Sequence, residues 1–218
     1  PGDTESSNLL AEIYTQQEQF GLAQFTYETI KDSVAKYRGL SLIAHKMRRN
    51  KEAVRLAKLG VEAAEINTEK RKLLAFERYT QALIWNGNYK KASRIIEMIR
   101  AEFPDNSTVY ALEATLGMYT AKFSKSLVAY KKILAVDSTS FDGNLGIANA
   151  YRAKGDINLA KEYGEKALQY YSHKKYDQTL LVLKQFNHPN TRYKDILLMR
   201  ALAHYRLQKP QVALKTLD

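Results

Sequence analysis

Small residues recur along this 218-residue chain at a fixed distance, and this period constrains the fold more than any other feature. A spacing of 34 residues separates Ala92 from Ser126 and Ser126 from Ala160. The same spacing returns between Thr179 and Ala213. A fixed period of this length is typical of arrays in which each repeat packs against its neighbours. The period therefore predicts a stack of similar units.

The segments 73–106, 107–140 and 141–174 can be aligned on these small residues, which we call the anchors. A second small position precedes each anchor and falls inside a predicted first helix. Its occupants are Thr80, Ala114 and Ala148. Two small positions per repeat are expected where two helices cross closely. Each segment therefore predicts a pair of antiparallel helices.

Turn residues separate the two predicted helices of each segment. Gly87 and Gly155 lie where glycine most easily adopts a positive φ. Pro104 is expected to end a second helix, since proline cannot continue one. Asn106-Ser107-Thr108 matches a glycosylation acceptor, but capping of the next helix is the favoured interpretation. An apolar residue opens each predicted second helix, and these are Tyr89, Phe123 and Ile157.

This arrangement resembles the tetratricopeptide repeat, a helix–turn–helix unit of 34 residues. The resemblance implies an all-α, right-handed superhelix of about five to six repeats, with first helices lining a concave groove. It predicts one array over residues 1–218, irregular near 165–190. The predicted repeats are 4–33, 34–67, 73–106, 107–140 and 141–174, followed by an irregular stretch at 175–193 and a partial repeat at 194–218.

Three spacings depart from the period. The anchors Ala23 and Ala53 are 30 residues apart, and Ala53 and Ala92 are 39 apart. Only 19 residues separate Ala160 from Thr179, which is too few for a helix pair. The charged segment EINTEKRK lies between Ala53 and Ala92, and around YYSHKKYDQ we expect a helix that is missing, shared or shortened.

Composition narrows the class of protein further. A hydrophobic fraction of 45% supports a real core, and no apolar run is long enough to predict a membrane span. Both ends interrupt the pattern, so we expect a piece of a longer protein. The chain has no cysteine, which excludes disulfides and thiolate chemistry. A cytoplasmic and a bacterial periplasmic location both stay open.

The sequence lacks the motifs that usually carry catalysis. It has no phosphate-binding loop, HExxH, GxSxG or calcium-loop spacing. Its four histidines are far apart along the chain, and its acidic residues mostly lie near lysine or arginine. We therefore predict a protein that is not an enzyme and that uses no cofactor and no metal.

The resemblance implies a binding face on the first helices, where members of this family hold a peptide or another protein. The residues carried over to that face are Arg38, Leu42, Glu77, Gln81, Trp85, Ala111, Thr115, Tyr119, Asn149, Arg152, Leu198 and Tyr205. Trp85 and Tyr119 occupy matching places in adjacent repeats. Each could anchor a partner or pack at the rim of the groove, and both alternatives stay open.

Two specialised subtypes of the family are not matched. The carboxylate clamp of one subtype requires Lys, Arg and Asn, but its positions read Glu77, Gln81, Leu112, Asp142 and Gly146. The asparagine ladder of the sugar-transferase superhelix is also absent. Its positions read Leu9, Gly39, Arg78, Leu112 and Gly146. A partner protein or peptide bound in a different way is therefore the favoured function.

The net charge of +11 is concentrated in short basic clusters. They are Arg48-Arg49, Lys70-Arg71-Lys72, Lys90-Lys91, Lys131-Lys132 and Lys174-Lys175, mostly on predicted turns and second helices. One interpretation is solubility. The other is contact with an acidic protein or an acidic polymer. Nucleic acid is not expected, because no RNA-binding signature accompanies the charge.

A second resemblance is confined to FDGNLGIANAYRAKGD, residues 141–156. This stretch is similar to repeats of periplasmic scaffolds in bacterial exopolysaccharide export. It implies an alternative function, in which the basic surface contacts an anionic polymer during export. We also expect that a homodimer can form through the open terminal helices of the array.

Overall fold

The computed structural model describes residues 4–64 and 68–167, and every regular element within them is helical. The helices are α1 (Thr4–Gln16), α2 (Phe20–Thr29), α3 (Ser33–Lys46), α4 (Asn50–Ala64), α5 (Glu69–Trp85), α6 (Tyr89–Glu102), α7 (Ser107–Tyr119), α8 (Phe123–Val136) and α9 (Phe141–Lys154). Residues 157–167 are also helical and are called α10. Within these ranges no helix is both long and apolar enough to cross a membrane.

The helices form consecutive antiparallel pairs, which confirms the predicted all-α array of helix–turn–helix repeats. Short turns join α1 to α2, α3 to α4, α5 to α6, α7 to α8 and α9 to α10. The chain divides into two compact units, with the boundary between Lys132 and Ile133 inside α8. The predicted irregular stretch at 175–193 and the partial repeat at 194–218 lie outside the described residues.

Four of the anchors are buried where the two helices of a pair cross, and Ala160 is partly buried. Ala23, Ala53, Ala92 and Ser126 have no exposed surface. A larger side chain would separate the helices and leave voids in a densely packed interior, so only small residues fit. At α7 and α8 the approach is so close that the Ser126 hydroxyl donates to the Ala114 carbonyl at 2.8 Å.

Among the described residues, a residue in the left-handed conformation lies five positions before each anchor from Ala23 to Ala160. The prediction of positive φ is confirmed for Gly87 at 79° and Gly155 at 85°. The sequence did not indicate that Glu18, Arg48 and Ala121 adopt the same conformation, with φ of 59°, 63° and 55°. The turn therefore requires a positive φ at this position, even though these three residues prefer a negative φ.

Helix lengths account for the first two irregular spacings. α2 has 10 residues, one turn fewer than the 14 of α6, and this shortens the distance from Ala23 to Ala53. α5 has 17 residues where α7 has 13, which lengthens the distance from Ala53 to Ala92. The charged segment before residue 73 forms this additional turn, so α5 begins four residues ahead of the predicted repeat boundary.

Side-chain caps begin several of the helices. The Asp32 carboxylate accepts from the backbone N–H groups of Val34 and Ala35 at the start of α3. Asn106 accepts from the N–H of Thr108 at 2.9 Å, which confirms its predicted capping role. Ile157, the apolar residue that opens α10, is 63% exposed.

The first helices of the unit that ends at Lys132 form one layer, in which α1 contacts α3, α3 contacts α5 and α5 contacts α7. The second helices described in this unit behave differently, since α2 does not contact α4 and α4 does not contact α6. Helices on the inner side of a curved stack lie closer together than those on the outer side. We call the surface of α1, α3, α5 and α7 the first-helix face, and the surface formed by α2, α4, α6 and the α8 residues up to Lys132 the second-helix face.

Candidate partner-binding face

A cluster of polar and aromatic side chains lies on the first-helix face between α3 and α5. The Arg38 guanidinium of α3 forms an ion pair with the Glu77 carboxylate of α5, with 3.3 Å between Nη2 and Oε2. Gln81, one turn along α5, donates to the other Glu77 oxygen at 3.1 Å. The structure thus brings three of the predicted face residues into one hydrogen-bonded group. All three are partly exposed.

Arg78 adds a second guanidinium to this cluster. It makes no ion pair or hydrogen bond with any described residue, and its Nε is buried without a partner. Burial and then the neighbouring charge of Arg38 lower the pKa of Arg78 to about 10. Arg78 is therefore still protonated near neutral pH. A buried polar atom without a partner costs free energy, so its presence here calls for an explanation.

The aromatic side of the cluster is formed by Trp85 at the end of α5. Its ring stacks on the His45 imidazole with centroids 3.8 Å apart and planes inclined by 10°. The Arg78 guanidinium carbon lies 5.5 Å from the Trp85 ring centroid, which is within cation–π distance. These contacts fit the rim-packing alternative for Trp85. Its role as a partner anchor stays a prediction.

Asn50 links three helices behind the tryptophan. Its amide nitrogen donates to the Trp85 carbonyl at 2.8 Å, and its amide oxygen lies 2.8 Å from Nδ1 of His45. Because Asn50 begins α4, this bridge connects the second repeat to the third. The bridge ties the backbone at the end of α5 to the start of α4, and the His45 imidazole that it contacts stacks on the Trp85 ring.

The next repeat presents fewer contacts on the same face. Tyr119 ends α7 as Trp85 ends α5, but the Tyr119 side chain is 48% exposed. Thr115 donates its hydroxyl to the Ala111 carbonyl of its own helix at 2.8 Å. Tyr119 is thus an accessible aromatic group, whereas the hydroxyl of Thr115 is already engaged.

The remaining predicted residues of the binding face either belong to the unit that begins at Ile133 or lie outside the residues that the structure describes. On α9, Arg152 donates to the Asn149 side-chain oxygen at 3.1 Å, one turn away. Tyr205 and Leu198 lie outside the described residues. The structure therefore joins Arg38, Glu77, Gln81 and Trp85 in one cluster and describes Asn149 and Arg152 as a separate pair.

Sequence reasoning did not assign a role to His45, Asn50 or Arg78. A signal was present for Arg78, because the equivalent positions in the neighbouring repeats read Gly39 and Leu112, both buried. A charged residue in a register of buried small or apolar residues is unusual. No comparable pattern marked His45 and Asn50, since their contacts with Trp85 depend on how the second repeat meets the third.

No family model matches the chain, and no curated protein does either. Solved structures with similar helices include MamA from Desulfovibrio magneticus RS-1, from residue 41 to its end. The sequence of that protein is 15% identical to this chain. The two structures superpose with a TM-score of 0.48, and the match covers 78% of this chain and 96% of that chain. A MamA crystal structure has 16% identity and a TM-score of 0.45, with coverage of 79% and 93%.

These likenesses are distant, and the fold described above rests on the helices and their pairing. The tetratricopeptide resemblance rests on the 34-residue period and on the buried anchors. Nothing among the comparisons supports the predicted resemblance to exopolysaccharide-export scaffolds.

Proposed function

We propose that this protein is a non-catalytic scaffold that binds a segment of a partner protein along the first-helix face. The observation that carries the proposal is Arg78, a protonated guanidinium with a buried Nε that no described residue satisfies. A carboxylate from a partner would accept hydrogen bonds from the guanidinium of this partly exposed residue, which no described residue engages in a hydrogen bond or ion pair. The partly buried setting would make that hydrogen bond stronger than one in water.

The surroundings of Arg78 support a peptide-like ligand. Gln81 offers an adaptable amide, and Trp85 offers an aromatic surface held in place by His45 and Asn50. The exposed ring of Tyr119 lies in the next repeat of the same face. Tryptophan, tyrosine and arginine are the residue types that dominate binding energy at protein interfaces. A segment with an acidic side chain and a nearby apolar side chain is the chemistry that this face complements.

A peptide-display selection against the whole chain tests the proposal. Enriched peptides are synthesised and titrated against the parent protein and its variants by calorimetry. Arg78→Gln should weaken binding by roughly tenfold or more, because a charge-assisted hydrogen bond contributes about 1.5–3 kcal/mol. Tyr119→Ala should weaken binding by a smaller factor.

The matched control is Arg94→Gln, which removes the same charge from the exposed surface of α6. Its affinity should equal that of the parent protein. Circular dichroism and thermal unfolding confirm that each variant remains folded. The proposal is wrong if Arg78→Gln and Arg94→Gln change affinity equally, or if the selection enriches no peptide.

A further inference from the structure

A cleft of about 710 Å³ opens on the second-helix face between α6 and α8, with α7 as its floor. Each helix contributes one stripe of residues with helical spacing. The stripe on α7 includes Glu113, Leu116, Gly117 and Thr120, and no residue of α5 takes part. The cleft therefore lies away from the α3–α5 cluster and shares no residue with it.

The floor of the cleft has an apolar patch at Leu116 between Glu113 and Thr120, and the rim is basic. Leu116 lies in the floor, and Val128 of α8 is 59% exposed at its edge. Five basic and two acidic residues line the cleft, which leaves an excess of three positive charges. One of the acidic residues, Glu113, is already ion-paired with Arg100. The local charge is thus strongly biased toward binding carboxylates.

Three rim lysines have no ion-pair partner among the described residues. They are Lys90 at the start of α6, and Lys122 and Lys125 at the start of α8. All three are exposed. Lys132, one turn before the end of α8, lies over the Tyr110 ring, with its nitrogen 4.9 Å from the ring centroid. Both walls of the cleft therefore carry ammonium groups that are free to meet an acidic ligand.

The corresponding gap two repeats earlier differs from this cleft in both volume and charge. Between α2 and α4, over α3, the space is about 210 Å³, and its rim carries two arginines and two glutamates. The two gaps have the same architecture. They differ more than threefold in volume, and only the α6–α8 cleft has a net charge on its lining. Packing of second helices alone does not explain the larger, basic cleft.

We propose that the cleft between α6 and α8 binds an amphipathic helix of a partner protein, with an apolar stripe flanked by Glu and Asp. The trough extends from Lys90 to Arg100 along α6, which at 1.5 Å per residue is about 15 Å, or roughly three helical turns. The apolar stripe covers Leu116 and Val128. The acidic flanks meet the lysines on both walls, so charge complementarity sets the orientation.

This second surface goes beyond the proposed function, because it uses a different face and different residues. The test uses a fluorescein-labelled, 16-residue helical peptide with a leucine stripe flanked by glutamates, and fluorescence anisotropy with the whole chain. The comparison peptide replaces every glutamate with lysine. The acidic peptide should bind at least tenfold more tightly than the basic one. Its affinity should fall as salt is raised.

Charge reversal locates the binding site. Lys90→Glu combined with Lys125→Glu should weaken binding of the acidic peptide by at least tenfold. The matched control, Arg94→Glu combined with Lys131→Glu, changes the net charge by the same amount on the same two helices but outside the cleft. That control should lose no more than about threefold. An equal loss in both double variants, or no binding by the parent protein, overturns the proposal.

A crosslinking measurement keeps the test decisive if a charge variant unfolds. The chain has no cysteine, so Val128→Cys introduces a single thiol beside the cleft. An acidic peptide with a terminal cysteine, activated as a mixed disulfide, should react much faster with Val128→Cys than with Ala101→Cys. Ala101 is exposed on α6 and does not line the cleft. Equal reaction rates would rule out binding in the cleft.

Discussion

At the scale of single residues, the turns within the repeats place side-chain-bearing residues in a conformation that suits glycine. Ala121 has φ of 55° at the position where Gly87 and Gly155 stand in neighbouring repeats. A Cβ in the left-handed region costs roughly 1–2 kcal/mol because it approaches the following carbonyl oxygen. At the equivalent Gly87, an added Cβ would meet no atom within 4 Å, so no steric clash opposes a side chain there. The cost at this turn is therefore one of backbone conformation alone.

Ala121→Gly should stabilise the protein by about 0.5–1 kcal/mol. Relief of the left-handed strain exceeds the additional entropy that glycine loses on folding. The reverse change, Gly87→Ala, should destabilise by about 1 kcal/mol. Urea unfolding followed by circular dichroism measures both. Free-energy changes of the same sign for the two variants would contradict the argument from turn geometry.

Tyr27 should make the free energy of unfolding depend on pH in the alkaline range. Burial raises the pKa of this phenol from 10.0 to about 12, so the unfolded chain ionises first. The stabilising contribution is fully present below pH 10 and is lost as pH rises through 12. Relative to Tyr27→Phe, which cannot ionise, the parent protein should lose about 1 kcal/mol between pH ~8 and pH ~10.5. Urea unfolding at both pH values tests this, and parallel pH profiles for the two proteins would refute it.

At the scale of elements, α7 and α8 are held together by two small residues that face each other. A Cβ added at Gly117 would approach the Ser126 hydroxyl oxygen to 2.3 Å. The same hydroxyl donates to the Ala114 carbonyl across the pair. The crossing thus depends on Gly117 and Ser126 together, and the two positions should be energetically coupled.

Gly117→Ala should destabilise the protein by about 1–3 kcal/mol, because the added methyl group overpacks the crossing. Ser126→Ala should cost about 1 kcal/mol for its lost hydrogen bond. The double variant should be more stable than the sum of the two single changes predicts, by about 1 kcal/mol, since removal of the hydroxyl makes room for the methyl group. A double-mutant cycle by chemical unfolding measures this coupling. If the free-energy changes of the two single variants add up to that of the double variant, the two side chains are not in steric contact.

At the scale of the whole molecule, the first repeat leaves apolar side chains uncovered. Leu10 and Ile13 of α1 are exposed, as are Leu22 and Phe25 of α2, with Phe25 exposed to 67%. An array of stacked repeats buries such residues only where a further unit covers them. These four side chains are the apolar surface that the predicted dimerisation through terminal helices would use.

Leu22→Glu combined with Phe25→Glu should shift the protein toward the monomer if copies associate through this surface. Light scattering over a concentration series measures the mass. Gln17→Glu combined with Gln19→Glu adds the same charge in the exposed turn between α1 and α2 and should leave the mass unchanged. A monomeric parent protein at every concentration would contradict the dimer prediction.

The candidate site was predictable only in part. The repeat register assigned Arg38, Glu77 and Gln81 to first helices, and the structure joins these three side chains in one cluster. It gave no indication that Trp85 stacks on His45, or that Asn50 bridges to the Trp85 carbonyl. Those contacts join residues 35 to 40 positions apart. Their geometry depends on the angle at which one repeat meets the next.

The sequence by itself determined the helix pairs, their turns and their buried anchors. Each of these is a local property, since small residues, turn glycines and apolar periodicity act within one repeat of 34 residues. Only the tertiary structure decided that α5 begins four residues ahead of the predicted boundary and that Ala121 adopts a left-handed turn. It alone revealed the unpartnered Nε of Arg78 and the basic cleft between α6 and α8. Such features arise where neighbouring repeats meet, and a period within one chain does not specify the side chains that face each other across that junction.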